Sequence, residues 1–384
     1  MRRTFALVAA GLLAVTVPVI IGITADAETE QPRAPKSPPD TLEIGTTEDA
    51  DVNMFELAER EQVLTYPGSS YVKLHFSRLL LAEGDSISVT NIDGTERHEY
   101  SGPAESLWTK SISGDTAVVK LNSSGDLAKD TISSLGANID KVARGYTESE
   151  MDQRAAERPR TESVCGKDDS LEAVCYSTSH PDIYANTTPV ARLLINGTTL
   201  CTAFRVGENN RMLTNNHCFD NDRAAANTEV WFNYSCAECN GSSLNSTVKV
   251  NGDDVLATDK TYDYTLFTVD DFDAIRDFGY LTLADRKAKK KEGLYIPQHP
   301  SGDPTRVAME SDADEGACEV DDPDYEGYAP ASDVSYFCDT EFGSSGSPVL
   351  SRDTHEVVAL HHFGGCPNSG VRSDKLLQRI GDKL

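Results

Sequence analysis

Nine cysteines lie between Cys165 and Cys366, and none precedes Cys165. That distribution divides the chain before any strand or helix is considered. Cysteines crowded into one region of an exported chain form disulfides, and a region stapled in this way folds as its own body. The odd count leaves at least one cysteine free or joined to another chain. Residues before Cys165 must build a core without staples. With 384 residues, 39% of them hydrophobic and 25% charged, the chain is long enough to do both.

Export is read from the N-terminus. Arg2 and Arg3 give a positive end, Phe5 to Ile23 is apolar, and Ala25-Asp26-Ala27 fits a small-residue cleavage pattern. Residues 1–27 therefore read as a signal peptide cut before Glu28, and Arg2-Arg3-Thr4-Phe5 suggests the twin-arginine route. Pro18 and Gly22 within the run oppose an uncleaved anchor, and no other stretch could span a bilayer. The expectation is a secreted, extracellular protein with no stable membrane association. The formal charge of -27 repels a phosphate backbone, which excludes nucleic acid as the expected partner and favours basic polypeptides.

Residues 28–56 are rich in Pro, Thr, Glu and Asp without periodicity and read as a disordered linker. Residues 57–140 read as a β-rich N-terminal domain or pro-region with no catalytic grouping: Val72, Leu74 and Phe76 share one strand face, and Tyr71, Lys73 and His75 the other. Ile87 with Val89, and Ala117 with Val119 and Leu121, alternate likewise, with Gly-containing turns between the runs. Residues 126 to 160 look helical and then charged. Within them, 141–160 reads as an exposed connector with a processing site at Arg158-Pro159-Arg160. From 161 to 384 short β-like runs recur, and Leu376, Leu377 and Ile380 suggest a short terminal helix. The fold class is all-β, with a barrel or sandwich layout.

Chemistry concentrates in three places. Asp339-Thr340-Glu341-Phe342-Gly343-Ser344-Ser345-Gly346-Ser347-Pro348 is a tight Gly/Ser turn that can expose a serine hydroxyl and align backbone N–H groups on a developing oxyanion. A serine nucleophile needs an imidazole to take its proton and a carboxylate to fix the imidazole's tautomer. His217 follows the apolar run Met212-Leu213-Thr214 and adjoins Cys218, with Cys201 one strand earlier. Asp263, in Tyr262-Asp263-Tyr264-Thr265-Leu266, is the acid best placed beside an apolar strand.

The motifs Thr214-Asn215-Asn216-His217-Cys218, Asp263-Tyr264-Thr265-Leu266 and Gly343-Ser344-Ser345-Gly346-Ser347-Pro348 resemble those of the trypsin/chymotrypsin family of serine proteases. Their order, His then Asp then Ser, differs from the α/β-hydrolase and subtilisin orders. The resemblance covers 161–384 and implies two antiparallel β-barrels of the chymotrypsin type with the site between them. It implies His217, Asp263 and Ser345 as catalytic residues, with the N–H groups of Gly343 and Ser345 as the oxyanion hole. Within the family the chain is most similar to exported lysyl-endopeptidase-like proteases, through the Thr340–Pro348 run, the early Cys165 and Cys175, the Leu360-His361 strand end and Arg372-Ser373-Asp374. Their disulfide scheme implies Cys201–Cys218, Cys165–Cys366 and Cys175 with Cys236 or Cys239, and Cys318–Cys338 is an extra pair.

The resemblance also implies a pocket. Asp339 stands where trypsin keeps its pocket-floor acid, and Asp374 matches the acid of lysyl endopeptidases. Both favour cleavage after Lys or Arg. His361 stands where glutamyl endopeptidases keep a histidine, which leaves cleavage after Glu as the alternative. Ser344 replaces the aspartate that trypsin pairs with its new N-terminus, so activation by removal of the N-terminal region is expected instead. No cofactor or metal is expected, although Cys236-Ala237-Glu238-Cys239 has zinc-type spacing. The expected partners are protein or peptide substrates, acting on a monomer. A silent homologue that binds proteins through the cleft is the rival reading.

Overall fold

The computed structural model describes residues 41–55, 60–122, 135–157, 164–314 and 316–384. The expected signal peptide and the Arg158-Pro159-Arg160 processing segment lie outside them.

Alternating apolar residues before Cys165 build a two-sheet sandwich. Strand Tyr71–Leu80 pairs with Gly136–Gly145, and on its other edge with Ala104–Trp108 and Ile112–Ser113. Gly45–Phe55 pairs with the far side of Gly136–Gly145. The second sheet runs Glu61–Thr65, Thr116–Asn122, Ser86–Asn91, Arg97–Tyr100. Val72, Leu74, Phe76, Ile87, Val89, Val119 and Leu121 fill the space between the sheets, as their alternation predicts.

Two boundaries differ from expectation. Residues 28–56 do not all form a linker, because Leu42–Glu43 and Gly45–Phe55 are strands. Gly45–Phe55 is an edge strand hydrogen-bonded on one side only, so polar side chains suit its solvent face and conceal it. The 140/141 boundary falls inside Gly136–Gly145, a central strand and not the helix its Ala, Lys and Arg suggested. The connector that follows holds a helix, Glu148–Glu157. Its start is a capping box: Glu150 N–H donates to Thr147 Oγ1 at 3.2 Å, and Thr147 N–H donates to Glu150 Oε2 at 2.8 Å.

After Cys165 come two six-stranded barrels. The first runs Thr199–Arg205, Val190–Ile195, Thr228–Phe232, Val248–Asp259, Tyr264–Val269, Met212–Thr214, and closes where Phe204 pairs with Leu213. The second runs Leu294–Gln298, Pro348–Ser351, Val357–Phe363, Asn368–Arg372, Asp333–Tyr336, Val320–Tyr325. It closes through a Gly293–Glu319 bridge and a Leu294 N–H to Cys318 C=O bond of 2.7 Å. Leu193, Phe232 and Phe267 fill the first barrel, and Ile296, Val334 and Val349 the second. Phe204, Leu213, Leu266, Leu350 and Leu360 belong to one apolar cluster that joins the barrels. Each such side chain contributes roughly 1.5–3 kcal/mol on burial. Helix Ser373–Ile380 closes the chain, with Leu376 and Ile380 buried.

The sandwich is docked on the first barrel. Leu42–Glu43 adds a seventh strand beside Thr199 and Leu200. Tyr71 and Lys73, on the face opposite Val72, Leu74 and Phe76, are buried there: Tyr71 Oη donates to Gly197 C=O at 2.7 Å, and Lys73 Nζ lies 2.9 Å from Glu229 Oε1. The Lys73 and Glu229 side chains are 1% and 0% exposed. Glu229 also accepts Ser111 N–H and Ser111 Oγ, each at 2.8 Å, and Trp231 Nε1 at 2.9 Å. Every oxygen of this buried carboxylate is therefore satisfied, which a charge in such a place requires.

Candidate active site

Strand pairing inside the first barrel brings His217 to Asp263. Thr214 faces Thr265 across the ladder, with His217 just past one strand and Asp263 just before the other. Asp263 Oδ1 accepts the backbone N–H of His217 at 2.9 Å, and Oδ2 lies 2.8 Å from His217 Nδ1. Asn215 Nδ2 donates to the Asp263 carbonyl at 2.8 Å, which fixes the turn. That turn holds Asp263 at a φ of 42°, a left-handed conformation that non-glycine residues adopt at a cost. Burial pushes the Asp263 carboxyl upward, but the charge and hydrogen bonds of His217 and His362 outweigh it and hold the group well below the usual carboxylate range. An ionised Asp263 can only accept, so His217 Nδ1 carries a proton and a neutral ring leaves Nε2 with its lone pair. His217 Nε2 is buried and has no hydrogen-bond partner among the described residues.

Ser345 comes from the second barrel, in the turn before Pro348–Ser351. Its carbonyl accepts Thr202 N–H at 2.8 Å, and Thr202 Oγ1 donates to Gly343 C=O at 2.9 Å. The serine turn is thus hydrogen-bonded to a strand of the first barrel. Gly346 N–H donates to His361 C=O at 3.0 Å, and His361 N–H donates to Ser347 C=O at 2.9 Å. Phe342 C=O accepts Ser301 N–H at 2.6 Å, and the trans peptide therefore turns Gly343 N–H away from Ser301. No hydrogen bond joins His217 Nε2 to Ser345 Oγ, a looser arrangement common in sites without substrate. A cavity of about 450 Å³ opens beside His217, lined also by Asp220, Lys260, Asp263 and Tyr328; Ser345 does not line it.

Glycine is required at 346. Its φ is 90°, and a Cβ there would lie 2.0 Å from Thr202 C=O and 2.5 Å from Thr214 Oγ1. Gly346→Ala is expected to lower stability by roughly 3 kcal/mol through strain and overpacking. Urea unfolding of the two proteins checks this, and equal midpoints would contradict it.

The three expected pocket residues fall in different settings. Asp339 is buried, and its two oxygens accept Cys165 N–H at 3.0 Å and Asp169 N–H at 2.9 Å. Burial, against those two bonds, pushes its carboxyl up to about 6. Asp374 makes a two-point ion pair with Arg372, at 3.0 and 2.7 Å. Neither acid is hydrogen-bonded or ion-paired to His217 or Ser345. His361 lies against the serine turn with Nδ1 2.7 Å from Tyr336 Oη, and burial, helped by the charges of His362 and His217, pushes it down to about 3. It is neutral.

Four disulfides are present: Cys165–Cys366, Cys201–Cys218, Cys318–Cys338 and Cys175–Cys239. Cys236 is the buried free thiol, which resolves the choice left open for Cys175. Cys201–Cys218 ties the histidine segment to its neighbouring strand. The close groupings of Cys201, His217 and Cys218, and of Glu172, Cys175 and Cys239, contain disulfide sulfurs and not the thiolates a zinc site uses.

Sequence reasoning missed His362, Asp333 and Tyr328. His362 Nδ1 lies 3.2 Å from Asp263 Oδ2, and Nε2 lies 2.8 Å from Asp333 Oδ2. Tyr328 packs edge-on against the His362 ring at 6.0 Å. The available signal was the doublet His361-His362, since neighbours on a strand point to opposite faces.

Residues 201–360 match the trypsin-like peptidase domain. Secreted RxLR effector protein 73 of Plasmopara viticola is 32% identical over 337 residues, covering 82% of this chain and 80% of that protein. Among solved structures, a Glu endopeptidase in complex with MPD is 18% identical with a TM-score of 0.41, over 57% of this chain and 97% of its own. The inactive form of the Rv3671c protease is 16% identical with a TM-score of 0.39, over 54% and 94%.

Proposed function

The chain belongs to the family of trypsin-like serine proteases, and from that premise we propose that it is a secreted serine endopeptidase working through an acyl-enzyme. Ser345 Oγ attacks the substrate carbonyl while His217 Nε2 takes its proton. The N–H groups of Gly343 and Ser345 receive the oxyanion, a contribution of roughly 3 kcal/mol per donor. His217 then protonates the leaving amine, and water cleaves the ester by the same route in reverse. Asp263 holds the ring and balances its charge. The observation that carries this reading is the pair of hydrogen bonds that the His217 backbone and ring N–H groups donate to Asp263, which leaves Nε2 as the free end. Secretion is supported by the four disulfides and by the relative's being a secreted protein.

A fluorophosphonate probe tests the proposal. The folded protein is expected to gain one adduct, on Ser345. No adduct would leave a protein that binds through its cleft. For specificity, the reading is cleavage after Lys or Arg, which suits the charge of -27 and the acid Asp339 before the nucleophile. Asp339 already accepts two backbone N–H groups, so it would read a basic side chain through its remaining lone pairs. Reporter peptides ending in Lys, Arg and Glu rank the options, and faster cleavage after Glu would transfer the role to His361.

A further inference from the structure

We infer that His362 is a second positioning residue of the catalytic couple, an imidazolium clamped between Asp263 and Asp333 that fixes the Asp263 carboxylate against His217. This rests on the reading of His217, Asp263 and Ser345 given above.

The charge follows from hydrogen-bond counting. Both ring nitrogens of His362 face carboxylate oxygens, at 3.2 and 2.8 Å. An ionised carboxylate only accepts, and a neutral imidazole has one N–H. Two such contacts therefore need both ring nitrogens protonated. The side chains of His362, Asp263 and Asp333 are 1%, 2% and 0% exposed, so water does not substitute for either bond. Asp333 is satisfied on both oxygens: Ser332 Oγ donates to Oδ1 at 2.7 Å, and Ser369 Oγ donates to Oδ2 at 2.9 Å beside His362. Asp263 is satisfied likewise, by the His217 backbone, the His217 ring and the His362 ring.

The surrounding groups agree. Burial pushes His362 down, but Asp333 and Asp263 outweigh it and bring it up to about 9. Burial pushes Asp333 up, and the charge and hydrogen bond of His362 outweigh that in turn. Beside His362 on its own strand, His361 is neutral. Tyr328, packed on the ring from the 326–332 loop, is pushed up to about 12 by burial and then by the two aspartates, so its phenol is also neutral. His217 is the other titratable group bonded to Asp263. The cluster then holds two negative charges and one positive before His217 takes a proton.

The consequence is a fixed carboxylate. Asp263 Oδ2 receives ring N–H groups from two histidines, so it is held from two sides. With His362 charged, Asp263 keeps the orientation in which it accepts the Nδ1 proton of His217. Asp333 sustains that charge without touching His217.

Asp333→Asn tests the assignment. It keeps the shape and an acceptor but removes the charge that holds His362 protonated. The neutral pair His362→Gln with Asp333→Asn is the second variant, for the case in which the single one does not fold. In wild type, ¹⁵N-histidine NMR at pH 7.5 is expected to show one ring protonated on both nitrogens, and that signal is expected to vanish in both variants. In each, kcat is expected to fall by about tenfold or more with KM little changed. A neutral His362 at pH 7.5 in wild type, or an unchanged kcat in a folded variant, would overturn the inference. The NMR readout needs no turnover. Failure of fluorophosphonate labelling would sink the protease reading and with it the catalytic role of His362, leaving only its charge, whereas normal labelling with a neutral His362 would sink this inference alone.

Discussion

Ser345→Ala is expected to lower kcat by about 10⁶-fold, and His217→Ala by about as much, with the double variant no worse than either. On the proposed mechanism Ser345, His217 and Asp263 act as one unit, because the serine is nucleophilic only while His217 takes its proton. Asp263→Asn is expected to cost less, about 10⁴-fold. An asparagine cannot reproduce the contacts of Asp263. With its carbonyl toward the rings, it keeps the bonds to His217 Nδ1 and His362 Nδ1, but its NH₂ then meets the His217 backbone N–H. In the reverse orientation, NH₂ faces both rings and forces the His217 proton onto Nε2, where the serine proton must go. Steady-state kinetics on one peptide substrate checks all of these. If Ser345→Ala kept more than about a thousandth of wild-type kcat, Ser345 would not be the nucleophile.

Glu229→Gln is expected to destabilise the protein by about 3–5 kcal/mol. The substitution changes no shape, but it leaves the Lys73 charge buried at 1% exposure without its counter-charge. Lys73→Met with Glu229→Leu is expected to cost less than Glu229→Leu alone, since no lone charge remains. The pH dependence follows from Glu229. Burial raises its affinity for a proton, but Lys73, Lys249 and Ser111 outweigh burial and bring the carboxyl to about 2, from an ordinary 4.5. Its folded-state value is depressed, so its contribution is fully present above about pH 4.5 and is lost as pH falls through about 2. Chemical unfolding at pH 7 and pH 3 measures this. A Glu229→Gln protein as stable as wild type at pH 7 would show that the clamp contributes nothing.

The second half of the chain was legible because its signals are local. His217, Asp263 and Ser345 each sit at a strand end, next to an apolar run, a cysteine or glycines. The N-terminal sandwich was legible from alternation at Val72, Leu74 and Phe76. What stayed hidden depends on partners distant in sequence. Gly45–Phe55 has few apolar residues because it lies at a sheet edge. Gly136–Gly145 carries helix-favouring Ala, Lys and Arg, and its two neighbouring strands override that preference. Lys73 reads as a solvent residue until Glu229 arrives from a strand of the first barrel. His362 and Asp333 come from adjacent parts of one barrel, but only the fold brings them to an aspartate of the other.

The short strand Leu42–Glu43 has a consequence for maturation. Each of the four disulfides joins residues from Cys165 onward, so no covalent bridge holds the sandwich to the barrels except the backbone itself. The strand pairing of Leu42–Glu43 with Thr199 and Leu200 and the Lys73–Glu229 contact each join a residue before position 158 to one after position 163. A cut at Arg158 or Arg160 would therefore turn one polypeptide into two subunits without separating them. The fragments would part on a denaturing gel and elute together from a sizing column. Maturation of this kind changes connectivity and not composition, and the nicked particle would carry its former leader domain as a companion subunit.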